Sequence, residues 1–481
     1  MARKKIIKTH HKAKPGRRVR QSAKLSAGKK KRGRPAKRKT RVIKAKRGRP
    51  SKPRKPTFAK IRIQAPRGVH DILPEEQKYW DKIRTIVSQV AISYGFKRID
   101  VPVFEDINLF IKGTGQTTDI VQKEMYTFKT KGGEHFALRP EFTPGIVRAY
   151  IEHGMKNLPQ PVKLYTLGPV FRHNKPQAGR YRQFYQFNFE IIGDANPVSD
   201  VQTIQVFIAI LKKLNLKKFT FYINSIGCPL CVPQYKKVLV SYYRQHLSKL
   251  CFDCERRFKE NPLRLLDCKK EKCKRLANKS PQILDLLCEE CHNHFKEVLE
   301  LLDELEIPYI LDPQLVRGLD YYTRTVFEIW EEKGDALGSL LGGGRYDNLV
   351  EMFKGKSTPA VGAAAGIERI IASLKKQDIK ISEKEKPKIF LIQLGELGKR
   401  RGLKLFEEFQ SKGIKIGEAF SKPSIKSQLK IADKEGAQLT LILGQREVLE
   451  DNIIIRDMTS GAQETVALER VFQEIKKRLK K

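Results

Sequence analysis

Polar and apolar positions alternate most cleanly between Phe184 and Glu190, where Phe184, Gln186, Asn188 and Glu190 take turns with Tyr185, Phe187 and Phe189. A period of two belongs to a β-strand, and it sorts the amides and the carboxylate onto one face with Phe184, and the other aromatics onto the opposite face. This run is the second arm of a strand-loop-strand pattern, FRHNKPQAGRYRQFYQFNFE from Phe171 to Glu190, whose turn is marked by Pro176 and Gly179. Upstream, Trp80, Ile83, Val87, Val90 and Tyr94 recur every three or four residues and Gly95 follows, the pattern of an amphipathic helix and its stop. KRIDVPVFE (Lys97 to Glu105) reads as a strand holding Pro102, and residues 195–225 as a helix followed by a strand. Strand-like alternation returns after Gly318 in LVRGLDYYTRTVFE, and AAAGIERI (Ala363 to Ile370) opens a helix whose small residues allow close packing on a sheet. The charged KKQDIKISEKEKPK (Lys375 to Lys388) reads as a linker. Beyond it, short apolar strands alternate with helices near 399–412 and 424–435 and end in a basic helix, which predicts a small α/β domain with a mostly parallel sheet.

At 481 residues the chain exceeds one compact core, so two or three domains are expected. The net charge of +43 is unevenly spread: 26 of the 96 Lys and Arg lie in residues 1–56, which contain no acid. Residues 1–57 are too poor in apolar side chains to offset the entropy of ordering, and like charges repel along them, so they read as a disordered basic tail. Within the tail, Arg-Gly-Arg-Pro occurs twice, presenting Arg32 and Arg34, then Arg47 and Arg49. The repeats resemble AT-hook cores suited to a narrow A·T minor groove, while a plain polycation would grip RNA or DNA through phosphates without any motif. No run of eighteen apolar residues exists, and the Lys-rich N-terminus has neither the apolar core of a secretory signal nor the amphipathic helix of a transit peptide. A cytoplasmic location is expected.

Three stretches carry candidate chemistry. Arg172, Arg180 and Arg182 crowd the hairpin, and planar, permanently charged guanidinium suits phosphate oxygens, although a solvated basic turn would look the same. In LRPEFTPG (Leu138 to Gly145), the Glu141 carboxylate and the Thr143 hydroxyl share a face if extended; the bland reading is a cap or turn. All eight cysteines fall between residues 226 and 305, as Cys228/Cys231, Cys251/Cys254, Cys268/Cys273 and Cys288/Cys291. Such pairs in a cytosolic chain point to one or two tetrahedral zinc sites rather than disulfides, or else to free cysteines in a helical insert, and spacing does not say which pairs meet.

LRPEFTPG, the arginine hairpin, LVRGLDYYTRTVFE (Leu315 to Glu328), and GGGRYD (Gly342 to Asp347) followed by AAAGIERI stand in the order found in class II aminoacyl-tRNA synthetases. Over roughly residues 58–481 the chain resembles the histidyl-tRNA synthetase family of that class, with RGLDYY the most specific match. The resemblance implies an α/β fold class of α+β type: a class II antiparallel-sheet catalytic domain at 58–385, a Cys-rich helical insertion at about 226–305 that closes over the tRNA acceptor arm, and an α/β anticodon-binding domain at 386–481. It also implies a homodimer built on the helix and strand near residues 80–105, although the same apolar stripe would serve equally as core.

By the same resemblance, Glu141, Thr143, Gln186, Glu190, Arg317, Tyr321, Tyr322 and Tyr346 bind histidine, with Glu190 and Tyr322 at the imidazole. Arg172, Arg180 and Arg369 bind ATP, while Arg172 and Arg317 are catalytic, neutralising the α-phosphate together with Mg²⁺. Asn174-Lys175 stands where the family usually has Glu-Arg, a change at the adenine and tRNA-end contacts. The implied activity is a histidine–tRNA ligase acting through histidyl-adenylate on tRNA(His). Two other readings are a catalytically silent synthetase-like regulatory subunit of histidine biosynthesis, and a nucleic-acid-binding protein acting through its tail. The first would not need RGLDYY, the arginines and a C-terminal RNA domain together.

Overall fold

The stripe of Trp80, Ile83, Val87 and Val90 is buried on one side of the helix Gln77–Ser93, which stops before Gly95 in a left-handed conformation (φ 77°). In the computed structural model, which describes residues 63–175, 179–331, 338–382 and 386–479, that stripe is spent on the chain's own core. The basic tail with Arg32, Arg34, Arg47 and Arg49, and the turn residue Pro176, lie outside the described residues.

The core belongs to an eight-stranded sheet. Its strands run in the order Lys97–Arg98, Val162–Phe171, Gln183–Ile192, Ala360–Gly366, Leu341–Arg345, Thr323–Glu331, Phe219–Ser225, Ile310–Leu311, antiparallel throughout except at the two short edges. Phe187, Phe189, Phe327, Ile329, Ala363 and Ala365 point to one face and pack with the helices Gln77–Ser93, Pro197–Lys213 and Ile367–Lys376. The alternating residues of the same strands, Phe184, Gln186, Asn188, Glu328 and Trp330, turn to the opposite face and line a cleft.

Three local expectations are corrected. Lys97–Glu105 is not one strand: pairing breaks around Pro102, which has no N–H for a ladder, and Phe104–Asp106 joins a separate three-stranded sheet with His135–Leu138 and Thr127–Lys129. Ala363–Gly366 ends a strand, and the helix begins only at Ile367. The small residues serve the crowded centre of the sheet, where a Cβ on Gly343 would lie 2.3 Å from that of Ala363. The C-terminal sheet, ordered Ile416–Glu418, Ile389–Gln393, Leu439–Leu443, Asn452–Asp457, Gln463–Ala467, is parallel only across its first three strands. The connection from Leu443 to Asn452 is too short for a parallel crossover, so the chain returns antiparallel.

The Cys-rich segment is helical as expected, with helices Cys231–Arg244, Phe252–Glu260, Glu271–Ala277 and Glu289–Glu304 around a small core of Tyr235, Leu239, Tyr243 and Leu265. Arg345 of GGGRYD is fully buried: it donates to Asp200 at 2.6 Å and to Asp347 at 3.2 Å, and also to the Asp194 carbonyl. This pins the glycine strand to the helix Pro197–Lys213, and a buried charge so matched costs about 3–5 kcal/mol to break from one side. Among the described residues no helix is long and apolar enough to cross a membrane.

Candidate active site

The cleft holds about 570 Å³ and is floored by the polar face of the hairpin. Behind its floor Glu190 is fully buried. One carboxylate oxygen accepts from the Thr143 hydroxyl at 2.7 Å and the Asn188 amide at 3.2 Å, and the other accepts from the Tyr346 hydroxyl at 2.6 Å. Glu190 pairs across the ladder with Gly362, where a Cβ would fall 1.5 Å from a Glu190 oxygen, so only glycine leaves room for that carboxylate. Burial pushes the Glu190 carboxyl up to about 7 against the pull of its three donors, with the Glu141 charge adding to the rise.

Glu141, also buried, accepts from Thr114 at 2.6 Å and from the Tyr321 hydroxyl at 2.7 Å. Burial raises its carboxyl as well, and Arg172 and Arg317 are among the groups that oppose the rise. Burial, then the neighbouring carboxylates, holds the Tyr321 and Tyr346 phenols well above their ordinary range, so both remain donors. Glu141 and Thr143 do not share a face of an extended strand, because Thr143 opens the helix Thr143–Glu152; each instead joins a different carboxylate cluster.

Arginines form the opposite wall. The Arg172 Nε donates to the Pro140 carbonyl at 2.9 Å while its guanidinium lies 5.6 Å over Phe184. Arg317 crosses above Gly342, where a Cβ would be 2.4 Å from its Nη1; it donates to Glu328 and covers the Tyr322 ring at 5.7 Å. Arg369 donates to the Ser339 carbonyl at 2.7 Å and the Gly179 carbonyl at 3.2 Å. Burial, and then the charges of Arg172, Arg180 and Arg317, bring Arg369 down to about 10. Arg172, Arg180 and Arg317 act on Arg369 this way because the four guanidinium groups converge, and such a wall is built for a polyanion.

Arg172, Arg180, Arg317, Arg369, Glu141, Thr143, Gln186, Tyr321 and Tyr322 therefore meet in one cleft. Glu190 and Tyr346 stand one layer behind it, joined to it through Thr143 and Asn188. Arg182 is elsewhere: its backbone N–H donates to Gly68 and its side chain to the Arg67 carbonyl, tying the hairpin to the segment Arg67–Glu76. Several contributors went unassigned in the sequence. Glu328 takes Arg317 on one oxygen and the Trp330 indole N–H, at 2.8 Å, on the other, and both residues alternate on the cleft side of a strand already recognised. Asn188 stood on the polar face of the alternating strand without an assigned role, and Thr114, Gly362 and Glu368 offered no local signal. Glu368, raised to about 7 by burial, accepts the Tyr185 N–H on both oxygens at 2.9 and 3.0 Å.

Comparison with known proteins bears on this geometry. The profile of the histidyl-tRNA synthetase family matches residues 68–228 and 255–370, and that of an anticodon binding domain matches 388–478. A histidine–tRNA ligase of Dehalococcoides mccartyi is 44% identical over 416 residues, covering 86% of this chain and all of the relative. One from Acetivibrio thermocellus is 43% identical over 413 residues, covering 86% and 99%. The crystal structure of apo S. aureus histidyl-tRNA synthetase superposes with a TM-score of 0.71 at 36% identity, over 86% of this chain and 99% of that one.

Proposed function

The chain belongs to the histidyl-tRNA synthetase family, and on that premise we propose how its residues divide the work. The activity is that of a histidine–tRNA ligase, which uses ATP, histidine and tRNA. The observation that carries the residue assignment is the convergence of Arg172, Arg180, Arg317 and Arg369 on one wall of a cleft whose floor bears Glu141 and Gln186 and backs onto Glu190.

In this reading Glu141, with Thr143, receives the α-ammonium of histidine, and Arg317 lies against its carboxylate. Glu190 uses three of about four acceptor positions on its own neighbours, leaving one for an imidazole N–H, while Tyr322 serves the other ring nitrogen. Gln186, Tyr321 and Tyr346 complete the pocket around the amino acid. Buried polar atoms left unpaired by a different side chain would make discrimination large. The histidine carboxylate attacks the α-phosphorus in line, pyrophosphate leaves, and the terminal 3′-hydroxyl of tRNA(His) then takes the acyl group, releasing AMP. Arg172 and Arg317 hold the charge developing on the α-phosphate, and Arg180 and Arg369 grip the rest of the nucleotide. Among the described residues no three carboxylate or histidine groups gather in the cleft, so Mg²⁺ would be held mainly by the triphosphate, where it supplies charge neutralisation.

The reading divides the chain at 1–57, 58–385 and 386–481, makes it a cytoplasmic homodimer, assigns structural zinc to the cysteines of the insertion, and gives the tail to RNA or A·T-rich DNA. ATP–pyrophosphate exchange across the twenty amino acids tests it, run on the full chain and on a chain lacking residues 1–57. Histidine alone should support exchange, equally in both chains, and the salt dependence of tRNA binding should flatten on deletion. Exchange with another amino acid would remove the substrate assignment, and an unchanged salt slope would remove the role of the tail.

A further inference from the structure

The eight cysteines of the insertion gather into two groups, Cys228, Cys231, Cys288 and Cys291, and Cys251, Cys254, Cys268 and Cys273. Within each group all four sulfurs lie within 4.8 Å of one another. Cys228 Sγ is 3.7 Å from that of Cys231 and 3.8 Å from that of Cys288, and Cys251 Sγ is 3.9 Å from that of Cys268. Four thiolates arranged tetrahedrally about one zinc, at bonds of about 2.3 Å, stand about 3.8 Å apart, whereas a disulfide would bring two of them to about 2.05 Å. Backbone N–H groups already point at two sulfurs of the first group, from Leu230 to Cys228 at 3.4 Å and from Cys288 to Cys231 at 3.2 Å, the outer-shell bonds that orient metal-bound thiolates.

The two groups hold different parts of the insertion. The outer one joins the residues just after the strand Phe219–Ser225 to the start of the helix Glu289–Glu304, closing the neck where the segment leaves and rejoins the sheet. The inner one lies at the cleft itself, which Cys251 and Cys268 line together with Arg257, Arg264, Lys269 and Lys270. Arg257 and Arg264 reach across to Asp119, at 3.2 and 3.1 Å. Lys269, next to Cys268, sits 6.0 Å over the Trp330 ring, and Trp330 holds the Glu328 that holds Arg317. Asp253 and Asp267 line the same part of the cleft, and Asp267 pairs with Arg264 at 3.6 Å.

We propose that the insertion carries two structural zinc centres, one per group, and that the inner centre holds the roof of the cleft in place against the arginine wall. The role of the inner centre rests on the ligase reading of the cleft; the centres themselves do not.

Metal analysis of the full chain purified without chelator should return about two zinc ions per chain, and about one or none overturns the pair. Substitution by Co²⁺ should give the intense visible bands of tetrahedral thiolate coordination in the folded wild-type protein, which needs no variant to fold. Cys254→Ser should retain about one zinc and raise the KM for ATP in pyrophosphate exchange about tenfold, with the roof helix Phe252–Glu260 newly open to protease. A variant that has lost one zinc yet keeps wild-type exchange kinetics and protease resistance overturns the roof role. Zinc content is read without substrate, so the two-centre claim and the ligase reading fail independently.

Discussion

On the floor of the cleft, two buried carboxylates are met by five donors, Thr114 and Tyr321 on Glu141, and Thr143, Asn188 and Tyr346 on Glu190. On the roof, two arginines share the single carboxylate of Asp119, which burial would raise but which Arg264, Arg257 and Lys123 hold below its ordinary value. The floor's donors are neutral: Asn188 stands on the antiparallel ladder, Thr114 and Thr143 on the helices Ile107–Thr114 and Thr143–Glu152, and Tyr321 and Tyr346 in segments flanking the strands, so none of these contacts depends on a donor's charge. The roof depends on charge, on four sulfurs and on one ring contact, all of which respond to salt, chelation or oxidation. On the proposed reading, recognition of the small substrate falls to the neutral, hydrogen-bonded floor, and the insertion that closes over the nucleic acid falls to the charge-dependent roof.

Arg317 stands at the seam between the two, over Gly342 of the floor and bound to the Glu328 that Trp330 and Lys269 connect to the roof. Arg317→Ala should therefore have the largest effect, lowering histidine-dependent pyrophosphate exchange by about 10²–10³-fold, the loss expected of one preorganised charge-stabilising group. Arg182→Ala, in the hairpin with Arg172 and Arg180 but tied to Arg67 and Gly68, should stay within about threefold of wild type by the same assay. Equal losses in the two variants would mean that position in the cleft does not set an arginine's role.

Gly362→Ala strikes the floor alone. The new methyl would overlap a Glu190 oxygen at 1.5 Å, and the carboxylate, boxed in by three partners, can move only by breaking at least one of those bonds. Overpacking of this kind costs about 1–3 kcal/mol of stability. A displacement of about 1 Å at a recognition group should lower kcat/KM for histidine about 10²-fold, with the KM for ATP nearly unchanged. Steady-state exchange kinetics separate the two constants, and a fall in kcat/KM for histidine accompanied by a comparable rise in the KM for ATP would show that floor and roof are one unit.

How far this contrast was legible beforehand follows from the range of the interactions involved. The alternation from Phe184 to Glu190 is a property of adjacent residues, and its two faces appear in the structure as read. LVRGLDYYTRTVFE held Glu328 in plain view, yet its work depends on Trp330 and on Arg317 folding back over Gly342, which no local period reveals. Ala363–Gly366 was read as helix because small residues favour close helix packing, whereas the demand for smallness came from the neighbouring strand, where Gly343 meets Ala363. The cysteine pairing was unreadable for the same reason: Cys228 and Cys291 meet only after the insertion has closed on itself.

The smallest effect is also the most specific to the floor. Because the folded-state value of Glu190 lies near 7 while an exposed carboxyl titrates at its ordinary value of 4.5, the folded chain binds more protons than the unfolded chain between those limits. Stability contributed by the neutral carboxyl is fully present below pH 4.5 and is lost as pH rises through about 7, by an amount on the order of 1–3 kcal/mol. Glu368, raised to the same region, contributes a parallel loss, so the measurement is a difference: thermal or urea unfolding of wild type against Glu190→Gln at several pH values. Glu190→Gln should keep the Glu368 part of the slope and lose the rest, and the gap between the two proteins should narrow again when saturating histidine offers its ring N–H to the ionised wild-type carboxylate. If histidine leaves the wild-type slope unchanged, Glu190 is a buried strut of the floor and the imidazole is recognised at the cleft surface, by Gln186 and Tyr322.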